Sequence, residues 1–428
     1  MTLRPPPGPQ VSVGRLRVDA ARAIVKLREY QLVDRTAWVL EAIRAAVASG
    51  ATSIELRGDS NDVWLQWAGA PLSADELPRL FDELVSPEPT AERHGIRLLA
   101  AAVNSGLGMN PAYIDVIAVT ATVATRVRYT PDVLEAPDGD LAEAPLRRLA
   151  SEGMEEIEPP HGAPPGMIVH LRRRAGLEVV RYLLRGAEPP EIELARASCQ
   201  NITVPLRIGS LVLDRKILGN DLVRVPLGDN LDGFLAITDP ASRRSASPGV
   251  TMEIAECGVV LETSSLELDL EPRHTIPIRL MIDAPKMPTN ASRSEVRRDA
   301  HPMTTAIARG RIVVPDLIQA LVRMLADEPV DQRARSAALG LIAAVIAGHE
   351  WSETAQALIG PLRALADLPL VRDAVGTPRP IAAGWRSFHH RGRSPVSSSL
   401  APWMSDVLWI PPGDPAEWIV GSSDPDAM

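Results

Sequence analysis

Cysteine is scarce in this sequence, and no hydrophobic run is long. Its 428 residues include two cysteines, Cys199 and Cys257, which argues against a disulfide framework or a cysteine-built metal site and favours a reducing compartment. The longest apolar run, Ala337–Ala347, is too short to span a bilayer. Residues 1–10 are rich in proline and lack the apolar core of a signal peptide. We therefore expect a soluble cytoplasmic protein without a membrane segment.

Lysine is almost absent as well. The sequence has Lys26, Lys216 and Lys286 and no other lysine, so nearly all of its positive charge is arginine. With 39 prolines, this composition reflects coding bias as much as chemistry, and arginine clusters therefore carry little weight. The formal net charge of −9 argues against a nucleic-acid partner, because phosphate contacts require clustered lysine and arginine.

The motifs of several common enzyme classes are missing. The sequence has no Gly-x4-Gly-Lys-(Ser/Thr), no Gly-x-Ser-x-Gly, no His-Glu-x-x-His and no paired Cys-x-x-Cys. The adjacent His389 and His390 lack companion ligands at metal spacing, so no metal site is predicted. The function must be sought in less common patterns.

The most informative stretch is 284–299, which reads Ala-Pro-Lys-Met-Pro-Thr-Asn-Ala-Ser-Arg-Ser-Glu-Val-Arg-Arg-Asp. Pro285 and Pro288 restrict the residues before them to extended backbone, and residues 290–292 can cap a helix that follows. Arg293 thus stands where a loop becomes a helix. A guanidinium in such a place can stabilise charge on a transferred phosphoryl group. The alternative is an arginine that only pairs with a nearby carboxylate.

This stretch resembles the Leu-Pro-Leu-Asn-(Ile/Val)-Ser-Arg-Glu loop in the middle domain of the heat-shock protein 90 chaperones. Pro288, Asn290, Ser292 and Arg293 match that loop. The resemblance implies that Arg293 reaches the γ-phosphate of ATP. It also implies that the preceding half of the chain has the GHKL (Bergerat) ATP-binding fold, which these chaperones share with DNA gyrase B, MutL and histidine kinases.

Residues 33–49 have apolar side chains at helical spacing and end at Gly50. Glu41 lies off the apolar stripe, where it is either a general base toward a bound water or a solvated helix position. The segment resembles the family's first ATP motif, a helix with Glu-Leu-x-x-Asn-(Ala/Ser)-x-Asp-Ala, which implies that Glu41 positions the attacking water. Ala45 replaces the magnesium-binding asparagine, and an alanine cannot ligate a hard cation.

Two segments of alternating hydrophobicity, 52–56 and 63–67, predict a β-hairpin. A capping box at Ser73 then predicts a helix. This order resembles the family's Asp-x-Gly-x-Gly-Met-(Thr/Ser) motif, whose aspartate binds the adenine amino group. On that alignment Gly69 and Ser73 keep their places, but Trp67 replaces the aspartate, and an indole cannot accept a hydrogen bond from an amino group.

A rival alignment of the same motif uses residues 104–109, Asn-Ser-Gly-Leu-Gly-Met, although no capped helix follows them. The letters around Gly95 instead resemble the family's Gly-x-x-Gly-(Val/Ile)-Gly segment, whose amides hold phosphate at a helix start. Arg97 stands at the place of a further glycine, where it either holds a phosphate or plugs the pocket. The strand that begins at Gly166 resembles the family's closing strand, with Met167 in place of a threonine that helps to hold adenine.

We expect an α+β protein with four parts. A proline-rich leader covers 1–17, and a GHKL-type α/β sandwich covers 18–200. A region that resembles the heat-shock protein 90 middle domain, also α/β, covers 201–330, with a helix over 315–327 at its end. The segment 331–428 is expected to be mainly helical.

The order of the motifs indicates a homologue of the heat-shock protein 90 chaperones. The resemblance implies ATP with magnesium as the cofactor and client proteins as partners, and it leaves a homodimer open. The altered positions Ala45, Trp67, Arg97 and Met167 indicate that ATP binding and hydrolysis are weak or lost. Two alternatives stay open, a fully active ATP-dependent chaperone and a DNA-associated ATPase of the MutL or gyrase type.

Overall fold

Both halves of the chain contain helices and strands, which confirms the expected α+β class. The chain divides into two compact units, Met1–Glu193 and Leu194–Met428. Within the residues described below, no helix combines the length and the apolar composition that a membrane crossing requires. The computed structural model describes residues 24, 26–28, 34–86, 90–131, 153–174, 188–228, 231–240, 249–266, 275–289, 296–299, 301–327, 331–346, 353–373, 376–382, 396–397 and 408–409.

The first unit is built on an antiparallel sheet. Its strands follow one another in the order β5-β4-β3-β6-β2-β1. The hairpin predicted over 52–67 is confirmed, because the first two strands pair antiparallel. The bounds are β1 Ser53–Gly58, β2 Asp62–Ala68, β3 Tyr113–Val119, β4 Ala124–Tyr129, β5 Met154–Ile157 and β6 Gly166–Arg172.

Two helices of this unit, α1 and α3, pack against each other, and α1 also lies against β2. In α1 all positions from Trp38 to Ala46 are buried, as expected of a helix that is covered on every side. The helix bounds are α1 Trp38–Ala48, α2 Asp82–Val85 and α3 Ala91–Leu107, and α4 Pro190–Ser198 follows where the two units meet in the sequence.

The helix predicted after Ser73 is shorter than expected. The chain forms a turn, a 3-10 segment at Leu77–Arg79 and then the four-residue α2. Pro78 explains the interruption, because proline has no N–H to donate within a helix. Leu77, Leu80, Phe81 and Leu84 all lie in the core.

The second unit contains a five-stranded sheet in the order β12-β11-β13-β10-β9. Strands β11 and β13 run parallel, and the other pairs are antiparallel. A short hairpin of β7 and β8 precedes this sheet in the sequence. The bounds are β7 Leu206–Ile208, β8 Leu211–Leu213, β9 Asp221–Gly228, β10 Leu231–Thr238, β11 Gly249–Glu256, β12 Val259–Leu266 and β13 Thr275–Ala284.

Three helices follow, α5 Met303–Asp327, α6 Gln332–Ile346 and α7 Glu353–Ala366. The helix predicted over 315–327 begins earlier, at Met303, and Pro315 lies inside it. A proline inside a helix removes one backbone hydrogen bond. Here the residues on both sides of it, from Val313 to Ile318, include several that are buried in the core of the unit, and this packing offsets the loss.

The segment after residue 330 was expected to be mainly helical. Its described part has α6 and α7 but also a four-stranded sheet in the order β15-β14-β17-β16. The expectation missed these strands because each is only two or three residues long, too short for a periodic pattern. Their bounds are β14 Val371–Asp373, β15 Pro378–Arg379, β16 Val396–Ser397 and β17 Leu408–Trp409.

Candidate functional site

The candidate site is built on α1, α3 and the strand pair β2–β6, and α1 packs against both α3 and β2. Gly95 is part of α3 rather than of a loop before it. A Cβ at this glycine would overlap with Ser49 Oγ and come within 3.2 Å of the Ala45 carbonyl oxygen. The two helices therefore approach closely at Gly95, and close packing gives the glycine a structural role, whether or not it also holds phosphate.

Glu41 is buried in α1 and paired with Arg44. The distance from Arg44 Nη2 to Glu41 Oε1 is 2.5 Å, and the two side chains are only 5% and 1% exposed. The sequence analysis placed Glu41 beside water or in solvent and did not consider Arg44. The signal was present, because residues three apart face each other on a helix. The pairing compensates the charge of Glu41 within the protein.

Ala45 is fully buried on the same helix. Its side chain offers only a methyl group, although magnesium requires oxygen ligands in near-octahedral geometry. Within the described residues, no group of three or more histidine, cysteine, aspartate and glutamate side chains is arranged to hold a metal ion. The donor set at this position therefore does not fit the magnesium ion that the resemblance implies.

Trp67 and Met167 are direct cross-strand partners on β2 and β6. Each is only 2% exposed. The indole Nε1 of Trp67 is buried and has no hydrogen-bond acceptor in the described part of the protein. The Sδ atom of Met167 lies 3.2 Å from the backbone nitrogen of Leu72 and accepts its N–H. The place that the resemblance assigns to adenine recognition is thus filled by two large side chains and one backbone contact.

Gly69 and Gly166 lie at the ends of these two strands. The Gly69 N–H donates to the carbonyl oxygen of Pro165 at 3.1 Å, which joins the turn after β2 to the start of β6. A Cβ at Gly166 would overlap with the carbonyl oxygen of Trp67. Only glycine fits there, because the backbone of Trp67 is too close for any side chain.

Ser73 forms the capping box that the sequence predicts. Its N–H and its hydroxyl both donate to Glu76 Oε2, at 2.9 and 2.8 Å, and the Glu76 N–H donates back to Ser73 Oγ at 3.3 Å. The bond from the Ser73 backbone lowers the pKa of Glu76, while partial burial opposes the shift. The Ser73 hydroxyl is therefore engaged in a local turn at the protein surface.

Arg97 is half-buried in α3. It makes no hydrogen bond or ion pair with the residues that the structure describes, in contrast to Arg93 one turn earlier, whose Nη2 lies 2.6 Å from Glu83 Oε1. Hydrogen bonding to Glu83 raises the pKa of Arg93 further above its already high value. Arg97 is thus the arginine of this segment whose charge has no neighbouring carboxylate in the described structure.

Arg293 lies outside the described residues, but both ends of its loop are described. Thr289 and Val296 form an antiparallel bridge. The Met287 N–H donates to Glu256 Oε1 at 3.4 Å, and the Val296 N–H donates to Glu262 Oε2 at 3.3 Å. The described residues next to this segment are therefore held by backbone hydrogen bonds in the second unit.

The rival glycine-motif alignment at 104–109 falls at the end of α3, which remains helical to Leu107. Asn104 is buried there. Its Nδ2 donates to the Ile24 carbonyl oxygen at 3.1 Å, and its Oδ1 accepts from Arg28 Nε at 3.4 Å. This asparagine ties α3 to the segment before α1, and the residues around it do not form a glycine turn.

The sequence analysis missed a polar cluster on the other face of the first sheet. His170 Nε2 lies 2.7 Å from Asp62 Oδ1, and the His170 ring stacks on Trp64 with centroids 3.5 Å apart. Burial lowers the pKa of His170, although Asp62 and then Asp115 oppose the shift. Arg128 donates twice to Asp115, at 2.7 and 2.8 Å. The signal was the alternation of polar residues on β2 and β6.

The structure thus brings together some of the predicted residues and leaves others apart. Ala45 and Gly95 meet where the helices cross, and Trp67, Met167, Gly69 and Gly166 lie along one strand pair. No protein-family model matches this sequence, and a search of curated proteins finds no match either. The functional interpretation therefore rests on the motifs and on this geometry.

Proposed function

We propose that this protein is a homologue of the heat-shock protein 90 chaperones, with a GHKL-type fold in its first unit, whose ATP binding and hydrolysis are weak or lost. It acts by binding client or partner proteins. The order of elements supports the fold assignment: a glutamate-bearing helix, a hairpin, a glycine turn, a second helix and a closing strand follow one another as in that family.

The observation that carries the loss of hydrolysis is the buried pair of Glu41 and Arg44. A general base must lie within hydrogen-bond reach of the water that it activates. The Glu41 carboxylate instead faces a guanidinium 2.5 Å away and is 1% exposed. In this arrangement the carboxylate is held by protein, and an attacking water has no access to it.

The implied cofactor does not fit the other residues either. Ala45 supplies no oxygen ligand, and Trp67 presents a donor where adenine would also present one. Leaving such a group unpaired in a buried site costs about 1–3 kcal/mol. We therefore derive no catalytic step through ATP, and protein binding is the activity that we assign.

The active chaperone is the second candidate, because one observation favours it. The described residues on the two sides of Arg293 are held by the bridge from Thr289 to Val296 and by bonds to Glu256 and Glu262. A charged group acts best in catalysis when its position is fixed in advance. This feature would be expected of a loop that serves phosphoryl transfer.

Steady-state ATP hydrolysis and prevention of aggregation distinguish the two candidates. We expect no turnover by the full chain with magnesium, together with suppression of the aggregation of a chemically unfolded test protein without nucleotide. Glu41→Gln should change neither result: it should show no ATP turnover and should still suppress aggregation. The matched control is Glu55→Gln, which alters a glutamate paired with Arg57 at 2.8 Å on β1. Magnesium-dependent turnover that Glu41→Gln abolishes and Glu55→Gln preserves would establish the active chaperone instead.

A further inference from the structure

The first sheet has two faces, and the long helix α3 lies against one of them. A Cβ at Gly106 of this helix would lie 2.8 Å from Ile114 Cδ1 and 3.6 Å from Leu171 Cδ1, so these two side chains point toward α3. Successive side chains of a strand point to opposite faces. Asp115 and His170, their neighbours on the same strands, therefore point to the other face, which we call the outer face.

One row of side chains crosses the outer face from β1 to β4. Its members lie directly opposite one another on neighbouring strands, in the order Arg57, Trp64, His170, Asp115 and Arg128. Side chains in such pairs have Cβ atoms about 4.5–5.5 Å apart and interact with each other. The row therefore places an indole between an arginine and a histidine.

Trp64 is held in place at the protein surface. It is 38% exposed, whereas Trp38 and Trp67 are almost fully buried. Its ring stacks on His170 with centroids 3.5 Å apart and an interplanar angle of 5°, and His170 Nε2 in turn lies 2.7 Å from Asp62 Oδ1. A surface aromatic ring that is already fixed loses little conformational entropy when a partner binds to it.

Two arginines of the outer face extend further into solvent than the carboxylates with which they pair. The side chain of Arg128 is 40% exposed and that of Asp115 is 4% exposed, and Arg172 and Asp62 are 45% and 12% exposed. Asp115 accepts from two of the five N–H groups of Arg128. The Arg128 guanidinium also lies 3.7 Å from the centre of the Tyr113 ring. A partner would thus meet fixed guanidinium groups beside an indole, with the carboxylates beneath them.

We propose that the outer face is a docking surface for a short protein segment that places an aromatic side chain on Trp64 and carboxylates against the guanidinium groups around it. Tryptophan, tyrosine and arginine contribute most of the binding energy at many protein interfaces, and a carboxylate matches the planar fork of a guanidinium. The inference rests on the proposed function, since it takes protein binding as the activity of the chain. It adds where the partner binds and which side chains the partner presents.

A nucleic acid fits the outer face less well than such a segment. Its affinity depends on positive charge that neutralises phosphates. The arginines of this face already pair with carboxylates of the same face, Arg57 with Glu55 and Arg172 with Asp62. These pairs leave N–H donors for individual carboxylates but little net positive charge for a chain of phosphates.

Fluorescence anisotropy of labelled peptides with the full chain tests the chemistry of the partner. Three synthetic peptides of equal length alternate tyrosine with glutamate, with lysine or with serine, and labelled oligothymidylate is the nucleic-acid probe. We expect the glutamate peptide to bind most tightly. The formal net charge of −9 favours the lysine peptide through long-range attraction, so the order of affinities distinguishes a local site from the overall charge.

Substitutions on the outer face test the location. Trp64→Ala should weaken binding of the glutamate peptide about tenfold or more, and Arg57→Gln should weaken it about two- to fivefold at low salt. The matched controls are Ile359→Ala, which shortens an exposed apolar side chain of α7, and Arg297→Gln, which removes an exposed arginine of the second unit. Both controls should bind like the wild type. If Trp64→Ala does not fold, Arg57→Gln decides.

Three results would overturn the inference. The first is equal binding, or no binding, of the three peptides, and the second is an equal loss of binding in the controls and in the outer-face variants. The third is a different occupant: oligothymidylate that binds more tightly than the glutamate peptide and is weakened by Trp64→Ala, or a dimer in sedimentation experiments that Trp64→Ala dissociates.

Failure of the proposed function gives a different result. If no peptide binds but the chain suppresses aggregation of the unfolded test protein, the outer face is not the docking surface, and the proposed function stands. If the glutamate peptide binds at Trp64 but aggregation is not suppressed, the outer face is a docking surface and the chaperone assignment is wrong.

Discussion

At the scale of single residues, the pair of Glu41 and Arg44 determines how α1 is interpreted. A carboxylate on a helix between alanines suggests a general base when only the letters are read. In the structure, the carboxylate pairs with a guanidinium from the next turn of the same helix. The three-residue spacing of Glu41 and Arg44 is visible in the sequence, but only the structure shows that the pair is buried. Burial decides how much the pair matters, because an exposed pair at this spacing contributes only about 0.2–0.5 kcal/mol.

Removal of Arg44 should strongly destabilise the first unit. Arg44→Ala removes the guanidinium that pairs with the buried Glu41 carboxylate, and removing one member of a buried ion pair costs about 3–5 kcal/mol, measured as the free energy of unfolding in urea. Arg57→Ala, which removes the exposed partner of Glu55 on β1, should change stability by less than about 1 kcal/mol.

The double variant Glu41→Leu/Arg44→Met completes this comparison. Replacing a buried ion pair by apolar side chains of similar size is often neutral or stabilising, so the double variant should be more stable than Arg44→Ala. If Arg44→Ala unfolds no more easily than Arg57→Ala, the pair is not enclosed as described, and Glu41 becomes available as a base.

At the scale of elements, Gly95 shows that one glycine of a motif can be explained either by ligand binding or by helix packing. The glycine was predicted from its resemblance to a phosphate-binding segment. The structure adds that α1 and α3 cross at this point with no space for a side chain. Close packing alone would require glycine here, so the presence of a glycine does not distinguish a ligand-binding role from a structural one.

Gly95→Ala should therefore destabilise the protein even though alanine favours helices. The added Cβ would overlap with Ser49 Oγ and meet the Ser49 backbone nitrogen at 3.0 Å, and overpacking of this kind costs about 1–3 kcal/mol. The control is Gly360→Ala in α7, where nothing lies within 4 Å of the new Cβ.

That control should stabilise the protein by about 0.5–1 kcal/mol, because alanine has the higher helix propensity. Chemical denaturation of both variants measures the difference. If Gly95→Ala increased the free energy of unfolding as much as Gly360→Ala does, α1 and α3 would not approach closely at Gly95.

The polar row across β2, β6 and β3 makes stability depend on pH. Burial lowers the pKa of His170 below 6.5, while Asp62 and Asp115 oppose the shift and Arg172 adds to it. The unfolded chain therefore takes up a proton at a higher pH than the folded chain does. Stability is complete above about pH 6.5–7 and falls as the pH drops through 6.5 toward the folded-state pKa.

A comparison of histidine variants tests this sign. The urea midpoint of the wild type should fall between pH 7.5 and 5.5 by more than that of His170→Gln, which cannot titrate. His161→Gln, at an exposed position, should keep the slope of the wild type. A midpoint that falls more steeply in His170→Gln than in the wild type would show that the ion pair with Asp62 outweighs burial, and an equal slope would show that the two effects cancel; either result contradicts the prediction.

At the scale of the whole molecule, the sequence predicted the fold class and those elements that have a short periodic pattern of apolar residues. The α+β class and the hairpin of β1 and β2 are confirmed. Two element bounds were wrong, and a proline is involved in each. Pro78 interrupts a helix that the capping box begins, whereas Pro315 lies within a helix whose buried face tolerates it.

The interior of the candidate site was harder to predict. That Trp67 cannot accept a hydrogen bond follows from its chemistry alone. That it is enclosed by Met167 and by the turn at Leu72 depends on contacts between residues about 100 positions apart, and a single sequence contains no signal for them. The family resemblance, the lost ATPase and the role of Arg293 remain proposals.

Titration calorimetry of the full chain with ATP and magnesium tests the central claim most directly. The account predicts no saturable heat at millimolar nucleotide, because Trp67 and Met167 are buried at the place that the resemblance assigns to the base, and Ala45 has no oxygen atom in its side chain to bind the implied metal. Saturable binding that requires magnesium would contradict it, since such binding needs the space and the oxygen donors that the described site lacks.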